Sequence, residues 1–123
     1  MADRRFGTSE PSLWAVIERL GKPGRDLAVV IAVARCNNDG RRASIAEVRR
    51  EIPQRVGFNH RTTVGNALES AECAGIVVNR ASDGQSYDYV VRAEAAAWLV
   101  ACLEAAATEL RALELLDEPG GER

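Results

Sequence analysis

The chain has 123 residues, of which 46% are apolar, with 16 basic and 18 acidic side chains. This length and composition suit one globular domain with a modest core. No apolar run approaches the roughly 20 residues of a membrane-spanning helix, and no secretory leader follows the charged start, so we expect a soluble cytoplasmic protein without membrane contact. The formal net charge of −2 argues against a protein that binds nucleic acid by overall charge alone.

Charge is distributed unevenly along the chain. Residues 35–66 contain seven arginines and three acidic residues, whereas residues 93–123 contain two arginines and seven acidic residues. A basic centre beside an acidic C-terminal segment favours a protein that presents one face to phosphate. The alternative is a solvated surface whose charge asymmetry has no function. The preference for Arg over Lys and the many alanines are typical of a GC-rich bacterial genome.

Residues that usually carry catalysis or metal binding are few. The three cysteines, Cys36, Cys73 and Cys102, are far apart, so we expect them in the core as small apolar side chains; redox sensing stays open. His60 is the only histidine, and there is no glycine-rich phosphate loop or nucleophile motif. The sequence therefore predicts no enzyme, no metal site and no cofactor, and it leaves a small-molecule effector unknown.

Two helices are predicted in the first third of the chain. Residues 1–8 have no periodic pattern and are expected to form a disordered arm. Ser9 is the expected N-cap of the first helix, with Pro11 in its first turn and an apolar stripe that ends before Gly21. Residues 25–36 carry apolar side chains around most of the circumference, which predicts a second, heavily buried helix.

A third helix is predicted between Ser44 and Pro53. Ser44 and Glu47 have the spacing of a capping box, in which each side chain binds a free backbone N–H of the helix start. Pro53 ends the helix because it lacks an amide donor. Arg49 and Arg50 lie off the apolar stripe, where they either contact phosphate or form a solvated pair of charges.

The stretch over residues 59–74 predicts the helix of greatest functional interest. Asn59 is the expected N-cap and Gly75 the expected stop, after a connector over residues 54–58 in which Phe58 is expected to anchor the chain in the core. One face is apolar and is expected to be buried; it consists of Val64, Ala67, Leu68 and Ala71. The opposite face is polar near the helix start; it consists of His60, Arg61, Thr62, Gly65 and Asn66.

A β-hairpin is predicted over residues 76–91. Its first strand is β-branched, the Asp83-Gly84 pair predicts a tight turn, and its second strand alternates in polarity. Arg80 is the only cation of the hairpin, and Asp83 near the tip would repel phosphate. The hairpin is therefore expected to contact phosphate only weakly, through Arg80 and through hydrogen bonds from Gln85 and Ser86.

One long helix is predicted over residues 93–116, which are rich in alanine and contain no helix breaker. Its apolar positions recur at alternating intervals of three and four residues, the pattern of a helix that packs along another helix. We expect homodimerisation through this helix, with intramolecular packing as the alternative, and a disordered tail over residues 117–123. The expected interface residues are Trp98, Leu99, Leu103, Ala106, Leu110 and Leu113.

The polar face of the helix over residues 59–74 has the chemistry needed to read DNA in a major groove. Arg can donate two hydrogen bonds to guanine, Asn can pair with adenine, and Thr can bond to bases or to phosphate. The expected base contacts are Arg61, Thr62, Asn66 and His60. The expected contacts to the DNA backbone, which position the protein without reading sequence, are Ser44, Arg49, Arg50, Thr63, Arg80 and Gln85.

Three short segments resemble a known superfamily. Arg61-Thr62-Thr63-Val64, Ala67-Leu68 and Gly75-Ile76-Val77 are similar to the recognition helix and first wing strand of winged helix-turn-helix transcription regulators. The resemblance covers roughly residues 44–91. The long connector is closest to penicillinase-repressor-like proteins, and the flanking helices resemble dimeric regulators of the multiple-antibiotic-resistance type. The single histidine excludes the histidine-rich metal sites of the ferric-uptake regulators.

The resemblance implies a mainly α fold with a small β-hairpin wing (α+β). This would be a winged helix-turn-helix domain over residues 9–92, with N- and C-terminal helices for dimerisation. It implies a homodimer that binds double-stranded DNA as a sequence-specific transcription regulator, with its recognition helix over about 59–74 and its wing over about 76–91. The alternative is a winged-helix module for protein–protein interaction in a larger assembly, without specific DNA binding.

Overall fold

The computed structural model describes residues 10–82 and 87–117, and it shows a mainly helical fold with one small antiparallel sheet, in agreement with the predicted α+β class. Residues 1–9, 83–86 and 118–123 lie outside the described residues, so the predicted arm, the predicted Asp83-Gly84 turn with Gln85, and most of the predicted tail fall there. In chain order the elements are α1 (Leu13–Arg19), α2 (Pro23–Asn38), α3 (Ile45–Glu51), a 3₁₀ turn (Gln54–Val56), α4 (Arg61–Cys73), β1 (Val77–Asn79), β2 (Tyr89–Val91) and α5 (Ala93–Asp117).

The first two helices differ from their predicted boundaries. α1 has Ser12 as its N-cap, whose Oγ accepts a hydrogen bond from the Ala15 N–H at 3.2 Å. Pro11 precedes the helix and does not lie in its first turn, and the predicted cap Ser9 lies outside the described residues. α2 extends two residues beyond its predicted range at each end. At its start, Pro23 is accommodated in the first turn, where no amide donor is needed.

α3 begins and ends as the sequence predicts. The Ser44 Oγ accepts from the Glu47 N–H at 3.2 Å, and the helix ends before Pro53. The Glu47 carboxylate accepts from Arg41 Nη1 at 3.0 Å and from Arg50 Nη1 at 2.6 Å. Half of the predicted capping box is therefore present, and arginine engages the carboxylate that would have formed the other half.

α4 has His60, not Asn59, as its N-cap. The His60 Nδ1 accepts a hydrogen bond from the Thr62 N–H at 3.2 Å. The Asn59 carbonyl accepts from Arg49 Nε at 2.9 Å, so the predicted cap residue joins the helix start to α3 through its backbone. Gly75 ends the helix in a left-handed conformation with φ 81°, which confirms the predicted stop.

Contrary to the prediction, Phe58 does not anchor the connector in the core. Its side chain is 42% exposed and its φ is 59°, in the region that side chains other than glycine rarely adopt. Gly57 precedes it with φ 81°. Two consecutive residues with positive φ therefore join the 3₁₀ turn to α4, and the aromatic ring is left partly in solvent.

The core lies where α2, α3 and α4 pack against one another, with β2 on α2 and α5 on α1. The four apolar residues predicted for the buried face of α4 are all fully buried. Cys36 and Cys102 are buried as expected, whereas Cys73 is exposed on α4, which corrects its predicted core position. Burial raises the pKa of the Cys36 thiol, since the charged thiolate is poorly solvated in the core.

The hairpin is fixed to the helices through the outer edge of β2. Its two strands pair antiparallel, as predicted, with Asn79 opposite Tyr89. On the other edge of β2, the Asn37 carboxamide of α2 donates to the Tyr89 carbonyl and accepts from the Val91 N–H, both at 3.0 Å. The Tyr89 N–H donates to the Ala43 carbonyl at 3.0 Å. Asn37 and Ala43 thus supply the partners that a third strand would provide.

A buried carboxylate joins the start of α2 to α4. Asp26 is fully buried and accepts from Arg25 Nε at 2.8 Å. It also accepts from the Ser70 Oγ of α4 at 2.8 Å and, at 3.4 Å, from the Lys22 N–H. The charge is therefore paired and hydrogen-bonded, as a buried carboxylate must be to be tolerated.

α5 contributes to the core only over its first part. Trp98 and Leu99 are buried within the same chain, together with Ala95 and Cys102. The core of the same chain already covers Trp98 and Leu99, and their expected role in a dimer interface stays a prediction. Beyond residue 102, α5 continues for about four turns whose described side chains are exposed or half-buried. Within residues 10–82 and 87–117, no helix has the length and apolar character needed to cross a membrane.

Candidate nucleic-acid interface

α4 presents a polar face over its first two turns. His60, Arg61, Thr62 and Asn66 are exposed, and Thr63 is half-buried. Thr62 and Asn66 are four residues apart, so their side chains are neighbours on the helix surface. The four predicted base contacts are therefore all exposed near the start of α4. Thr62 and Asn66 lie opposite the buried residues, whereas Arg61 lies on the side of Val64 and Leu68, three and seven residues before them.

The second half of α4 limits the extent of this face. Glu69 and Glu72 are both exposed, and Glu69 follows Thr62 and Asn66 along the same side of the helix. These carboxylates would repel phosphate. An anionic group would therefore be favoured near the N-terminal end of α4, where the free backbone N–H groups also attract anions.

A large part of the positive charge at the centre of the chain is neutralised by carboxylates. Arg41 forms ion pairs with Asp39 at 2.9 Å, with Glu47 at 3.0 Å and with Glu51 at 2.5 Å. Hydrogen bonds to Glu51 and Asp39 raise the pKa of Arg41 further. Arg35 pairs with Glu51 at 3.1 Å. This cluster joins the end of α2 to α3, so these two arginines stabilise the fold.

The two arginines predicted on α3 have different positions. Arg49 donates to the Asn59 carbonyl and thereby holds the residue just before α4, while its side chain remains exposed. Arg50 is also exposed and pairs with Glu47 of the same helix at 2.6 Å. Arg49 therefore lies closer to the polar face of α4 than its sequence position alone indicated, and the charge of Arg50 is partly offset.

Three exposed arginines lie on α3, in the 3₁₀ turn and at the first position of α4. Arg49, Arg55 and Arg61 form no ion pair within the part of the chain that the structure describes. Arg55 lies in the 3₁₀ turn and was not predicted as a contact. Its position in the connector before a candidate DNA-binding helix was the sequence feature that could have identified it.

The remaining predicted backbone contacts are scattered. The Ser44 hydroxyl accepts from a backbone N–H at the start of α3, and its residue is half-buried. Arg80 is exposed at the end of β1, with Nη2 3.9 Å from the Asp88 Oδ2. Gln85 lies outside the described residues.

Three residues that position this interface were not predicted from the sequence. Asn37 holds β2, and the Asp26–Ser70 hydrogen bond holds α4 against α2. An isolated Asp in an apolar helix was a usable indication of a buried polar contact. Nothing in the sequence identified its partner, because the two residues are 44 positions apart.

A second surface of interest lies between α1 and the exposed part of α5. A groove of about 390 Å³ is lined by Trp14, Ala106, Leu110 and Leu113, among others. Trp14 is 73% exposed and Leu110 is 64% exposed, and Leu103 lies one turn before the groove with 43% exposure. Four of the six predicted interface residues therefore lie on a solvent-accessible, largely apolar face.

Within the described ranges, no three potential ligand side chains come close enough together to hold a metal ion. Comparison of the chain with protein-family models, with curated proteins and with solved structures found no significant match. The function is therefore inferred from the chemistry and placement of this chain's own residues.

Proposed function

We propose that this chain is a winged-helix transcription regulator that binds specific double-stranded DNA sequences as a homodimer in the cytoplasm. The observation that carries the proposal is the exposed cluster of His60, Arg61, Thr62 and Asn66 on the first two turns of α4. A helix with such a face and an apolar back can enter a major groove while it stays packed on its domain.

The order and packing of the elements support a winged helix. α2, α3 and α4 form the helical unit, and the β1–β2 hairpin follows α4 directly, in the position of a wing. Ala43, between α2 and α3, pairs with β2 as the first strand of a three-stranded sheet would. α3 and α4 would be the two helices of the helix-turn-helix, with α4 as the recognition helix.

The side chains of α4 divide into base and backbone contacts. Arg61 can donate twice to guanine and Asn66 can pair with adenine. Thr63 on α4, Arg49 on α3 and Arg55 in the 3₁₀ turn are the candidates for phosphate contacts, which would set the register of the helix. Ser44 keeps a hydroxyl proton for a phosphate oxygen after it accepts its cap hydrogen bond.

The homodimer would form through α5 and α1. From Leu103 onward the leucines of the α5 stripe are exposed, and the stripe ends in Leu116, which is 82% exposed. Exposed apolar surface of this extent is typical of an interaction site. Pairing of two such helices would bury the stripe and place two copies of α4 at a fixed separation, as a pseudo-palindromic site requires.

A protein–protein interaction module is the second candidate. The exposed Glu69 and Glu72 on α4 and the pairing of Arg35 and Arg41 with carboxylates favour it, because both reduce the positive field available to DNA. In that case the apolar face of α5 would bind a different protein, and α4 would have no ligand of its own.

The first test is fluorescence anisotropy with a labelled random duplex and a labelled fragment from upstream of the gene, across a salt series. We expect tighter binding to the upstream fragment and a steep loss of affinity as salt rises. Arg61→Ala should lose specific affinity by about 1–3 kcal/mol and relax the preference at one base pair. Arg111→Ala on α5 is the matched control, since it removes an exposed arginine far along the chain from α4.

The outcomes separate the two candidates. If Arg61→Ala and Arg111→Ala lose the same affinity for DNA, Arg61 makes no specific contact, and α4 is not the DNA-binding helix. The absence of binding to either duplex at low salt would refute the DNA proposal and leave the interaction module.

A further inference from the structure

α4 contains a glycine away from its ends. Gly65 is the fifth of the 13 residues of the helix. Glycine inside a helix is less favourable than alanine, because its backbone loses more conformational freedom on folding. Gly65 therefore lowers the stability of α4 unless the fold requires a glycine at this position.

The part of the fold that the structure describes does not require it. Gly65 has the ordinary helical backbone, unlike Gly57 and Gly75, whose φ is positive. A Cβ added at Gly65 would meet no heavy atom of the described chain within 4 Å, apart from its two neighbours and the backbone of its own helix. Alanine would therefore fit here without strain and would favour the helix.

Gly65 lies among residues of the candidate interface. Arg61 and Thr62 are four and three residues before it, and Glu69 is four residues after it, so all three are its neighbours on the helix surface. These three residues are exposed, whereas Gly65 is half-buried. The missing side chain leaves a recess in the surface of α4 between Arg61 and Glu69, which we call the Gly65 recess.

The charges on either side of the Gly65 recess limit what can enter it. Arg61 offers hydrogen-bond donors, and the carboxylate of Glu69 would repel a phosphate group. The edge of a base pair in the major groove presents both acceptors and an amino donor, so it can face an arginine and a carboxylate together. The recess therefore suits the edge of a base pair better than the phosphate backbone.

We propose that the Gly65 recess is the point of closest approach between α4 and DNA, where the edge of a base pair packs directly against the helix backbone. A helix without a Cβ at this point can lie deeper in the major groove, which brings Arg61 and Asn66 within reach of the bases. The inference rests on the proposed function. It adds a position at which the absence of a side chain determines specific binding.

Gly65→Ala should have opposite effects on the fold and on DNA binding. The midpoint of urea unfolding should rise, because alanine favours the helix. Fluorescence anisotropy should show about tenfold weaker binding to the upstream fragment, because the added methyl group overpacks a close contact. The affinity for the random duplex and its salt dependence should change little, since non-specific binding depends on phosphate contacts.

Gly24→Ala is the matched control. Gly24 also lies in a helix, is exposed, and has no heavy atom of the described chain within 4 Å of an added Cβ, apart from its neighbours and its own helix backbone. It is not one of the predicted DNA contacts. The control variant should keep the affinity of the wild type for the upstream fragment, and its urea midpoint should not fall.

The failure of this inference can be told apart from the failure of the proposed function. If the wild type binds the upstream fragment specifically and Gly65→Ala binds it equally well, the recess is not a contact and the proposed function stands. A lower urea midpoint for Gly65→Ala would show that the fold itself requires the glycine, and an equal loss for both duplexes would place phosphate at the recess; either result overturns the inference. A wild type that binds neither duplex at low salt overturns both.

Discussion

Asn37 shows how one side chain can fix the position of a whole element. Its carboxamide has a donor and an acceptor at the spacing of a peptide group, and both are used on β2. A two-stranded hairpin is marginally stable alone. The Asn37 side chain therefore provides β2 with hydrogen-bond partners that a third strand would otherwise provide.

Asn37→Asp should destabilise the fold by about 1–3 kcal/mol, because it replaces the donor to the Tyr89 carbonyl with an acceptor. The change keeps the size of the side chain and its acceptor for the Val91 N–H. Asn38→Asp on the same turn, where the side chain is exposed, is the control. Urea unfolding measures both, and equal midpoints for the two variants would contradict the role of Asn37.

The Asp26–Ser70 contact is the second residue-scale device. Ser70→Ala should cost about 1–3 kcal/mol, since a fully buried carboxylate loses one of its donors. Thr108→Ala removes a hydroxyl that bonds only along its own exposed helix, and its effect should stay within about 0.5 kcal/mol. Thermal or urea unfolding should show a clearly larger loss of stability for Ser70→Ala than for Thr108→Ala. Similar losses would show that the hydrogen bond from Ser70 to Asp26 does not stabilise the fold.

At the scale of elements, the start of α4 is determined by the connector before it. Gly57 and Phe58 both have positive φ, Arg49 holds the Asn59 carbonyl, and His60 then caps the helix. The polar face is therefore held by local backbone geometry and by α3. This arrangement gives the candidate base contacts a rigid support at the end where they lie.

The left-handed backbone at Phe58 predicts an unusual order of stability for two substitutions. Phe58→Gly should be more stable than Phe58→Ala by about 1 kcal/mol, because both lose the ring and only glycine adopts φ 59° without strain. At an ordinary position the order would be reversed. Chemical denaturation of the pair measures the difference, and a more stable alanine variant would show that residue 58 is not left-handed in solution.

At the scale of the whole molecule, α5 has a first part that the core covers and a second part that is exposed to solvent. Its first turns complete the core, and its last four turns extend an apolar stripe into solvent. A helix end of this kind is stable in water only if its surface is polar or is covered. The uncovered stripe is therefore the strongest argument for a second copy of the chain.

Leu110→Glu with Leu113→Glu should convert a homodimer into a monomer, because the change places charges in the centre of the proposed interface. Leu115→Glu, which changes an even more exposed leucine off the stripe, should leave the dimer intact. Sedimentation velocity of the wild type and both variants measures the outcome. A monomeric wild type, or a dimer that survives the double change, would exclude this surface.

The sequence predicted the elements that depend on local chemistry. The Ser44 cap, the Gly75 stop and the buried face of α4 follow from propensity and periodicity over a few residues, and the structure confirms them. The hairpin strands also pair as predicted. The cap residues of α1 and α4 differ from the predictions because several nearby side chains could serve, and the surrounding backbone selects among them.

The assignment of arginines to fold or surface could not be predicted from the sequence. The amino-acid sequence alone shows that positive charge is concentrated at the centre of the chain, and it predicts that α4 has a polar face and that α5 is a long helix with an apolar stripe. Only the tertiary structure decided that Arg41 lies among carboxylates, that Asn37 completes the sheet and that the core covers Trp98 and Leu99. The reason is physical: propensity acts between neighbours in the chain, whereas ion pairs, burial and clefts depend on residues that are brought together only by packing.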